Sequence, residues 1–273
     1  MLSINTNVGA MIALQSLGAV NRELAEVTRR ISTGLKISSP KDNGAIWAIA
    51  QGQRSEMKSL DAVTGSLKRG QSIVDVAISG GETISDLLTQ MKEKMLAASD
   101  VSLTASDRAL LSADYVALRK QIDLAASNAS FNGVSLISSG SSGNVRALAN
   151  ANATDSINVD HIDLSTTGSL LGGTLADLTT VTAADLTNLD NALKGVNGAV
   201  ARLGTGARAL ETHETFISKL QDTLEASIGR LVDADLAKES ARFAALQVKQ
   251  QLAIQALSIA NQQPNLILQL FRN

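Results

Sequence analysis

The sequence predicts a mainly α fold: an elongated antiparallel helical bundle or coiled coil of N- and C-terminal helices with a small β-hairpin insert. Apolar residues recur at steps of three and four through most of the chain, which is the spacing of one helix face. Aromatic residues make up only 2% of the chain, whereas the cores and pockets of compact enzymes usually depend on them. One central segment breaks the helical spacing and is rich in Ser, Thr, Gly and Asn.

The N-terminal segment, from Asn5 to Ile31, carries the heptad pattern of a coiled-coil seam. Gly34 is expected to end this helix, because glycine readily takes the left-handed conformation of a helix C-cap. Ser39 is then predicted to cap the next helix, with Pro40 at its first helical position and Asp42 at the capping-box position. The predicted seam residues are Ala10, Ala13, Leu17, Val20, Leu24, Val27 and Ile31.

Two more helices follow this first one. The same spacing predicts a helix from about residue 42 to 99, which would be roughly 85 Å long at ~1.5 Å per residue. A third helix is predicted from about 105 to 129.

The segment from about 134 to 184 contains two alternating runs, 144–149 and 156–164, which predict a β-hairpin. This insert has too few apolar residues to form a core alone.

The C-terminal part returns to the helical spacing, from about residue 186 to 231 and again from Leu236 onward. Pro264 interrupts the apolar pattern close to the end of the chain, and an apolar tail follows it. Chain ends are normally frayed and polar. An amphipathic helix with an apolar tip therefore needs a partner, which the first thirty residues or other copies of the chain can provide.

Composition excludes several classes of protein. The net charge of −2 argues against a nucleic-acid binder. The absence of cysteine excludes disulfide scaffolds, thiol catalysis and Cys-based zinc sites, and no apolar run is long enough to cross a membrane. The first basic residue is Arg22, so the basic region of a secretory signal is missing, and by that rule alone the chain is expected to stay in the cytoplasm.

Two short motifs resemble catalytic or cofactor sites and are rejected. His213-Glu214 begins a zinc-protease motif, but the second histidine that the motif requires is replaced by Ile217. We therefore expect His213 to be a solvated helix residue and reject a metalloprotease. Residues 204–209 match a loose dinucleotide-binding fingerprint, but they lie within a helical register instead of a strand-to-helix turn. The sequence predicts no catalytic site, metal or cofactor.

The remaining signal is interaction between chains. Two long amphipathic termini without a compact core between them predict an assembly subunit. A coiled-coil adaptor, whose two ends simply pair with each other, is the alternative that periodicity leaves open.

Several stretches at both ends resemble the bacterial flagellins, the filament subunits of the flagellum. They occur in the family's order, and the likeness is strong over residues 1–140 and 185–273. The N-terminal stretches are Ser3–Asn7, Ile31–Ile37, Lys41–Asn43, Ala48–Ala50 and Phe131–Gly133. The C-terminal ones are Asp233–Leu236, Gln250–Gln251, Ala260–Gln262 and Leu270–Arg272.

The resemblance implies that different parts of the chain occupy different layers of the filament. Residues 1–41 and 234–273 would form the terminal helices of an inner tube with its connecting spoke. Residues 42–233 would form a rod-like outer domain that includes the hairpin insert. The implied polymerisation interface consists of Ile4, Leu17, Leu24, Ile31, Leu236, Phe243, Leu257, Ile267, Leu270 and Phe271.

The resemblance also implies a place and a set of partners. The chain would polymerise into the extracellular filament that drives swimming, after export by the flagellar type III system without a cleaved signal peptide. This replaces the cytoplasmic expectation. Expected partners are other copies, sister flagellins, an export chaperone, the filament cap and the hook-junction proteins, with neither nucleic acid nor membrane. A hook–filament junction protein and a cytoplasmic coiled-coil adaptor are the alternatives.

Overall fold

The computed structural model describes residues 6–140, 143–173, 175 and 181–270, with side chains up to residue 262. These residues form a mainly α fold with one two-stranded antiparallel sheet, so the predicted fold class is confirmed. The helices are α1 (Val8–Thr33), α2 (Gly44–Ala98), α3 (Ala105–Asn128), α4 (Ala183–Val232) and α5 (Leu236–Leu270). The strands are β1 (Val145–Leu148) and β2 (Ser156–Val159).

The chain divides into two compact units. One unit consists of Met1–Ser55 together with Thr223–Asn273, and the other consists of Glu56–Asp222. The predicted division at residues 41 and 234 stays a prediction. It separates inner-tube from outer-layer segments of a filament, and contacts within one chain do not test those roles.

In the second unit, α2 and α4 run antiparallel over most of their length. Polar pairs between them follow one register, in which residue numbers rise along α2 as they fall along α4. Apolar side chains fill the space between the helices and bury a row on each of them. The polar pairs are Asp61–Gln221 at 2.8 Å, Lys68–Glu214 at 3.5 Å, Ser85–Asn197 at 2.8 Å and Lys92–Asp190 at 2.6 Å.

Glycines on α2 allow this close packing. A Cβ atom added at Gly81 would lie 2.6 Å from Val200 Cγ2 on α4. One added at the preceding residue, Gly80, would lie 2.7 Å from the Cβ of Ala129, just past the end of α3. Both distances are shorter than real carbon–carbon contacts, so these positions accept no side chain unless the facing side chains or the helices move.

The predicted β-hairpin is confirmed. β1 and β2 pair antiparallel, with Val145 opposite Val159. The hairpin packs on the long helices, since Leu148 N–H donates to Ser66 Oγ of α2 over 3.1 Å. Its other strand lies against α4, where a Cβ added at Gly206 would lie 2.9 Å from Val159 Cγ2. The insert therefore uses the helices as its apolar cover, as its composition requires.

The connection between α1 and α2 confirms one helix boundary and corrects another. Gly34 ends α1 in the left-handed conformation, with φ of 70°, as predicted. The expectation that Ser39 caps α2 is wrong, because α2 begins at Gly44 and Asn43 Oδ1 accepts the N–H of Ile46 over 3.1 Å. The Asp42 carboxylate does make the predicted capping-box bond to the N–H of Ser39, but it also accepts from the N–H of Ser38 and from the Ser39 hydroxyl, which hold this segment in a turn.

At the C-terminal end, the helix continues past Pro264. Proline lacks an N–H and crowds the carbonyl four residues before it, so it usually kinks or ends a helix. Here α5 runs as one element to Leu270. The interruption that Pro264 causes in the apolar pattern is therefore not an interruption of the helix.

Candidate functional site on the paired terminal helices

The first and last helices, α1 and α5, pack against each other as an antiparallel pair. Four polar contacts run along the pair, and in them the residue numbers rise along α1 as they fall along α5. These contacts are Asn7 Nδ2–Ala260 O at 2.7 Å, Asn21 Oδ1–Gln250 Nε2 at 2.8 Å, Glu23 Oε2–Arg242 Nη2 at 3.6 Å and Arg30 Nη1–Glu239 Oε1 at 3.2 Å.

The predicted seam of α1 is its least exposed face. Val27 is 1% exposed, and every other seam residue is half-buried. On α5, Leu246 is 3% exposed and the shielded residues again follow three-four spacing. Five of the residues predicted for the polymerisation interface lie on these shielded faces and are half-buried within a single chain. They are Leu17, Leu24, Ile31, Phe243 and Leu257.

The other predicted interface residues differ from this group. Leu236, at the start of α5, is 49% exposed. Ile4 and Phe271 lie outside the described residues. Ile267 and Leu270 lie on the helical backbone of α5, but their side chains lie outside the described part of the chain.

A second apolar surface remains exposed after α1 and α5 have paired, and the sequence prediction missed it. Large apolar side chains on both helices point away from the seam into solvent. We call this set the outward apolar face. Its members are Val8, Met11 and Ile12 on α1 and Val248, Leu252 and Ile259 on α5, whereas the exposed Leu14 and Ile254 lie at the flanks of the seam.

The signal for this face was present in the sequence. Val248, Leu252 and Ile259 are four and seven residues apart, so they form a second stripe on the side of α5 opposite the seam. A search for one heptad seam discards such residues as exceptions. A helix that is apolar on several faces is normally buried all round, which neighbouring chains would achieve.

One buried ion pair fixes the end of the helix pair where α1 stops and α5 starts. Glu239 is buried and accepts from Arg30, which also contacts Glu26 of its own helix. Glu239 Oε2 and Arg30 Nε are buried without a hydrogen-bond partner in the described structure. Breaking such a pair is costly because it leaves an uncompensated buried charge, so the contact holds α1 and α5 together here.

Both histidines act as structural residues. His213 Nε2 lies 2.7 Å from the carbonyl of Ala149 in the hairpin loop, and its ring lies 5.7 Å from that of Phe216. His213 is thus half-buried and partnered, and the expectation of a solvated residue is wrong. His161 Nε2 lies 2.9 Å from the carbonyl of Ser138. Among the described residues, no cluster of His, Asp or Glu side chains could hold a metal ion.

Comparison with known proteins identifies the family. Models of the bacterial flagellin N-terminal and C-terminal helical regions match residues 4–142 and 186–271. The chain is 52% identical to flagellin FljK of Caulobacter vibrioides over 99% of its own length and 98% of the relative's. The chain is a bacterial flagellin.

A flagellin of Brucella melitensis is 37% identical over the full length of both chains. The flagellin fold also resembles a putative flagellar hook-associated protein from Vibrio parahaemolyticus, with a TM-score of 0.59 over 70% of this chain and 100% of that one. That pair is only 14% identical, so the likeness concerns the fold alone.

Membership in the family establishes the function. This flagellin is a structural subunit that polymerises into the bacterial flagellar filament, which lies outside the cell and serves motility. Full-length identity to flagellins favours the filament subunit over the junction protein and over the coiled-coil adaptor. The family is structural, not enzymatic. No helix in the described part of the flagellin is long and apolar enough to cross a membrane.

The flagellin also ties its two inter-helix connections together. Leu35 and Asp233 form an isolated antiparallel bridge, and the Ala234 N–H donates to the carbonyl of Gly34 over 2.9 Å. A small apolar cluster lies beside this bridge. Its members are Ile37, Ala50, Ile228 and Val232, with Leu35, Ile46, Trp47 and Leu231 packed against it.

Asp42 organises the turn that precedes α2. Burial raises the pKa of the Asp42 carboxyl, but hydrogen bonds from the backbone N–H groups and hydroxyls of Ser39 and Ser38 outweigh it and hold the pKa below its ordinary value of 3.8. The same carboxylate forms an ion pair with Arg29 near the end of α1. The charged form of Asp42 therefore stabilises the connection between the two helices.

Proposed function

We propose that copies of this flagellin assemble through the paired helices α1 and α5, which form the inner tube of the filament. The observation that carries the proposal is the outward apolar face, which stays exposed after the two helices have paired within one chain. Full burial of one such side chain contributes ~1.5–3 kcal/mol. A repeated contact over this face therefore supplies a large driving force for polymerisation.

The predicted interface residues take two roles in this proposal. Leu17, Leu24, Ile31, Phe243 and Leu257 hold α1 against α5, and they contribute to assembly by presenting the outward apolar face. Leu236, which is exposed, contacts another copy directly. Family resemblance supports the same direct role for Ile4, Ile267, Leu270 and Phe271.

The remaining parts of the chain follow the predicted division. Residues 42–233 form the rod-like outer layer, with the hairpin insert on it, and residues 34–41 connect this layer to the inner tube. The bridge between Leu35 and Asp233 supports such a connection, since it joins the chain entering the outer layer to the chain leaving it.

Export and partners are proposed from the family. The flagellin leaves the cell through the flagellar type III system without a cleaved signal peptide, and the absence of cysteine suits a chain that travels unfolded. An export chaperone, the filament cap, the hook-junction proteins and sister flagellins are its partners, together with other copies of the chain. Neither a cofactor nor a metal takes part.

Seeded polymerisation tests the assembly surface. Purified monomer is mixed with short filament fragments in moderate ammonium sulfate, which strengthens apolar burial, and growth is followed by negative-stain electron microscopy. Leu257→Asp places a charge in the seam between α1 and α5, so we expect seeds that do not elongate. Circular dichroism should show that the helices of the other unit remain folded. Normal filaments from Leu257→Asp would refute the role of the terminal helices.

A further inference from the structure

The side chain of Asn7 joins the two ends of the chain with both halves of its amide. Asn7 Oδ1 accepts the N–H of Ala10 over 3.0 Å and caps α1. Asn7 Nδ2 donates to the carbonyl oxygen of Ala260 on α5 over 2.7 Å. Because one half accepts and the other donates, these two contacts fix the orientation of the amide. The cap of one helix is thus also a contact to the other.

A proline leaves the acceptor on α5 without its usual partner. Inside a helix, each carbonyl accepts the N–H of the residue four positions later. The residue four positions after Ala260 is Pro264, which has no N–H, while α5 continues to Leu270. The carbonyl of Ala260 therefore lacks its partner within the helix. An unpaired carbonyl is costly when it is shielded from water, and the Asn7 amide satisfies it.

The two ends of the helix pair are held by different means. At one end, the Arg30–Glu239 ion pair and the bridge between Leu35 and Asp233 join α1 to α5. At the free end, where α1 begins, Asn7 makes the cross-helix hydrogen bond given above. The polar contacts between the two ends are exposed, and exposed polar pairs contribute little.

We propose that Asn7 and Pro264 form a clamp that keeps the free ends of α1 and α5 paired, which makes Asn7 a positioning residue for filament assembly. The outward apolar face begins in the same turns, with Val8 and Met11 on α1 and Ile259 on α5. If these turns of α1 and α5 separate, the outward apolar face is no longer continuous across the two helices at their free ends. The inference rests on the proposed assembly through the terminal helices.

Hydrogen exchange of assembled filaments, read by mass spectrometry, tests the clamp. Asn7→Ser keeps a helix-capping oxygen but removes the amide donor that reaches Ala260. We expect about tenfold less protection of the amides at the start of α1, since ~1.4 kcal/mol corresponds to tenfold. Amides near the Arg30 end should keep their protection. Gln250→Ala, which removes the exposed contact to Asn21, is the matched control and should leave the protection at the start of α1 unchanged.

Pro264→Ala gives the sharper result. Alanine is the better helix former, and its N–H competes with the Asn7 amide for the carbonyl of Ala260. Because a carbonyl can accept two hydrogen bonds, the contact to Asn7 is weakened and not abolished. We expect the start of α1 to lose less protection than in Asn7→Ser, while the end of α5 gains protection. Asn7→Ser should then cost less protection in the Pro264→Ala background than in the unaltered chain. Equal losses from Asn7→Ser in both backgrounds would overturn the clamp, because Pro264 would then play no part in it.

A disulfide offers a rescue, because the chain contains no cysteine. A Cβ atom added at Gly9 would lie 3.8 Å from the Cβ of Ala260, which is within the span of a disulfide. Oxidised Gly9→Cys/Ala260→Cys should restore protection to Asn7→Ser, and reduction should remove it. Oxidised filaments that stay unprotected would contradict the clamp. Filaments with unchanged end protection in Asn7→Ser would overturn the clamp while assembly itself stands, because seeded growth is scored separately.

Discussion

Leu252→Ser tests the outward apolar face at its most informative position. Leu252 is 57% exposed on α5, although it belongs to a helix whose opposite side is shielded by α1. Full burial of a leucine contributes ~1.5–3 kcal/mol, so the surface that remains uncovered can contribute about 0.9 to 1.7 kcal/mol when another copy covers it. This corresponds to an increase of about 4- to 18-fold in the critical concentration for polymerisation. The single chain should hardly change, since surface substitutions rarely alter stability by more than ~0.5 kcal/mol.

The assay measures the monomer concentration that remains in equilibrium with seeded filaments, after sedimentation. Gln251→Ser is the matched control, because Gln251 is the next residue on the same helix, is exposed and is already polar. We expect the control to sediment like the unaltered protein. A critical concentration for Leu252→Ser that equals that of the control would refute the reasoning, since it would mean that this side chain stays in water in the filament.

Three further perturbations address the rest of the chain. Gly81→Ala should lower the melting temperature measured by circular dichroism by several degrees. The reason is that the new Cβ would lie 2.6 Å from Val200 Cγ2, and overpacking costs ~1–3 kcal/mol. An unchanged melting temperature would show that α2 and α4 accommodate the methyl group without strain. The pKa of Asp42 is lower in the folded chain than its ordinary value, so its stabilisation is complete above that value and is lost as the pH falls through the folded pKa. The fluorescence of Trp47, the only tryptophan, should report this acid transition, and Asp42→Asn should weaken its pH dependence. His213→Ala should speed exchange of the hairpin amides without changing filament growth, whereas a loss of growth would assign this histidine a role in assembly.

Periodicity alone predicted the long helices and the hairpin, because each satisfies a local rule. The predicted bounds of 105–129 for the third helix differ by one residue from those observed, and Gly34 ends α1 where left-handed backbone is required. The predicted start of α2 was wrong for a physical reason. Ser39, Pro40 and Asp42 form a good capping pattern, and the carboxylate does accept from the N–H of Ser39 as in a capping box. It also accepts from the N–H of Ser38 and from the Ser39 hydroxyl, so this hydroxyl does not cap a helix and the segment stays a turn. Local rules do not decide between two competing sets of hydrogen bonds.

The candidate site was predicted only in part. The seam was found because a heptad repeat identifies the face that pairs within the chain. The outward apolar face was missed because a helix with two apolar stripes looks, in sequence, like one stripe with errors. The contact between Asn7 and Ala260 could not be predicted, since it joins residues 253 positions apart and depends on a carbonyl that Pro264 leaves unpaired. Sequence shows the proline but not the partner of the carbonyl.

The distribution of buried apolar residues explains how one chain can serve in two states. α2 and α4 bury rows of apolar residues, whereas Val27 is the fully buried apolar residue of α1 and Leu246 that of α5 among the described side chains. Ordering one backbone residue costs ~1–2 kcal/mol, and full burial of one large apolar side chain contributes ~1.5–3 kcal/mol. Two such anchors and a half-buried seam order two long helices only weakly, and in the proposed assembly the pair gains stability from the surface that neighbouring copies cover. We therefore expect the terminal helices to be weakly held in the free subunit, as the proposed export requires, and stable once the filament surrounds them.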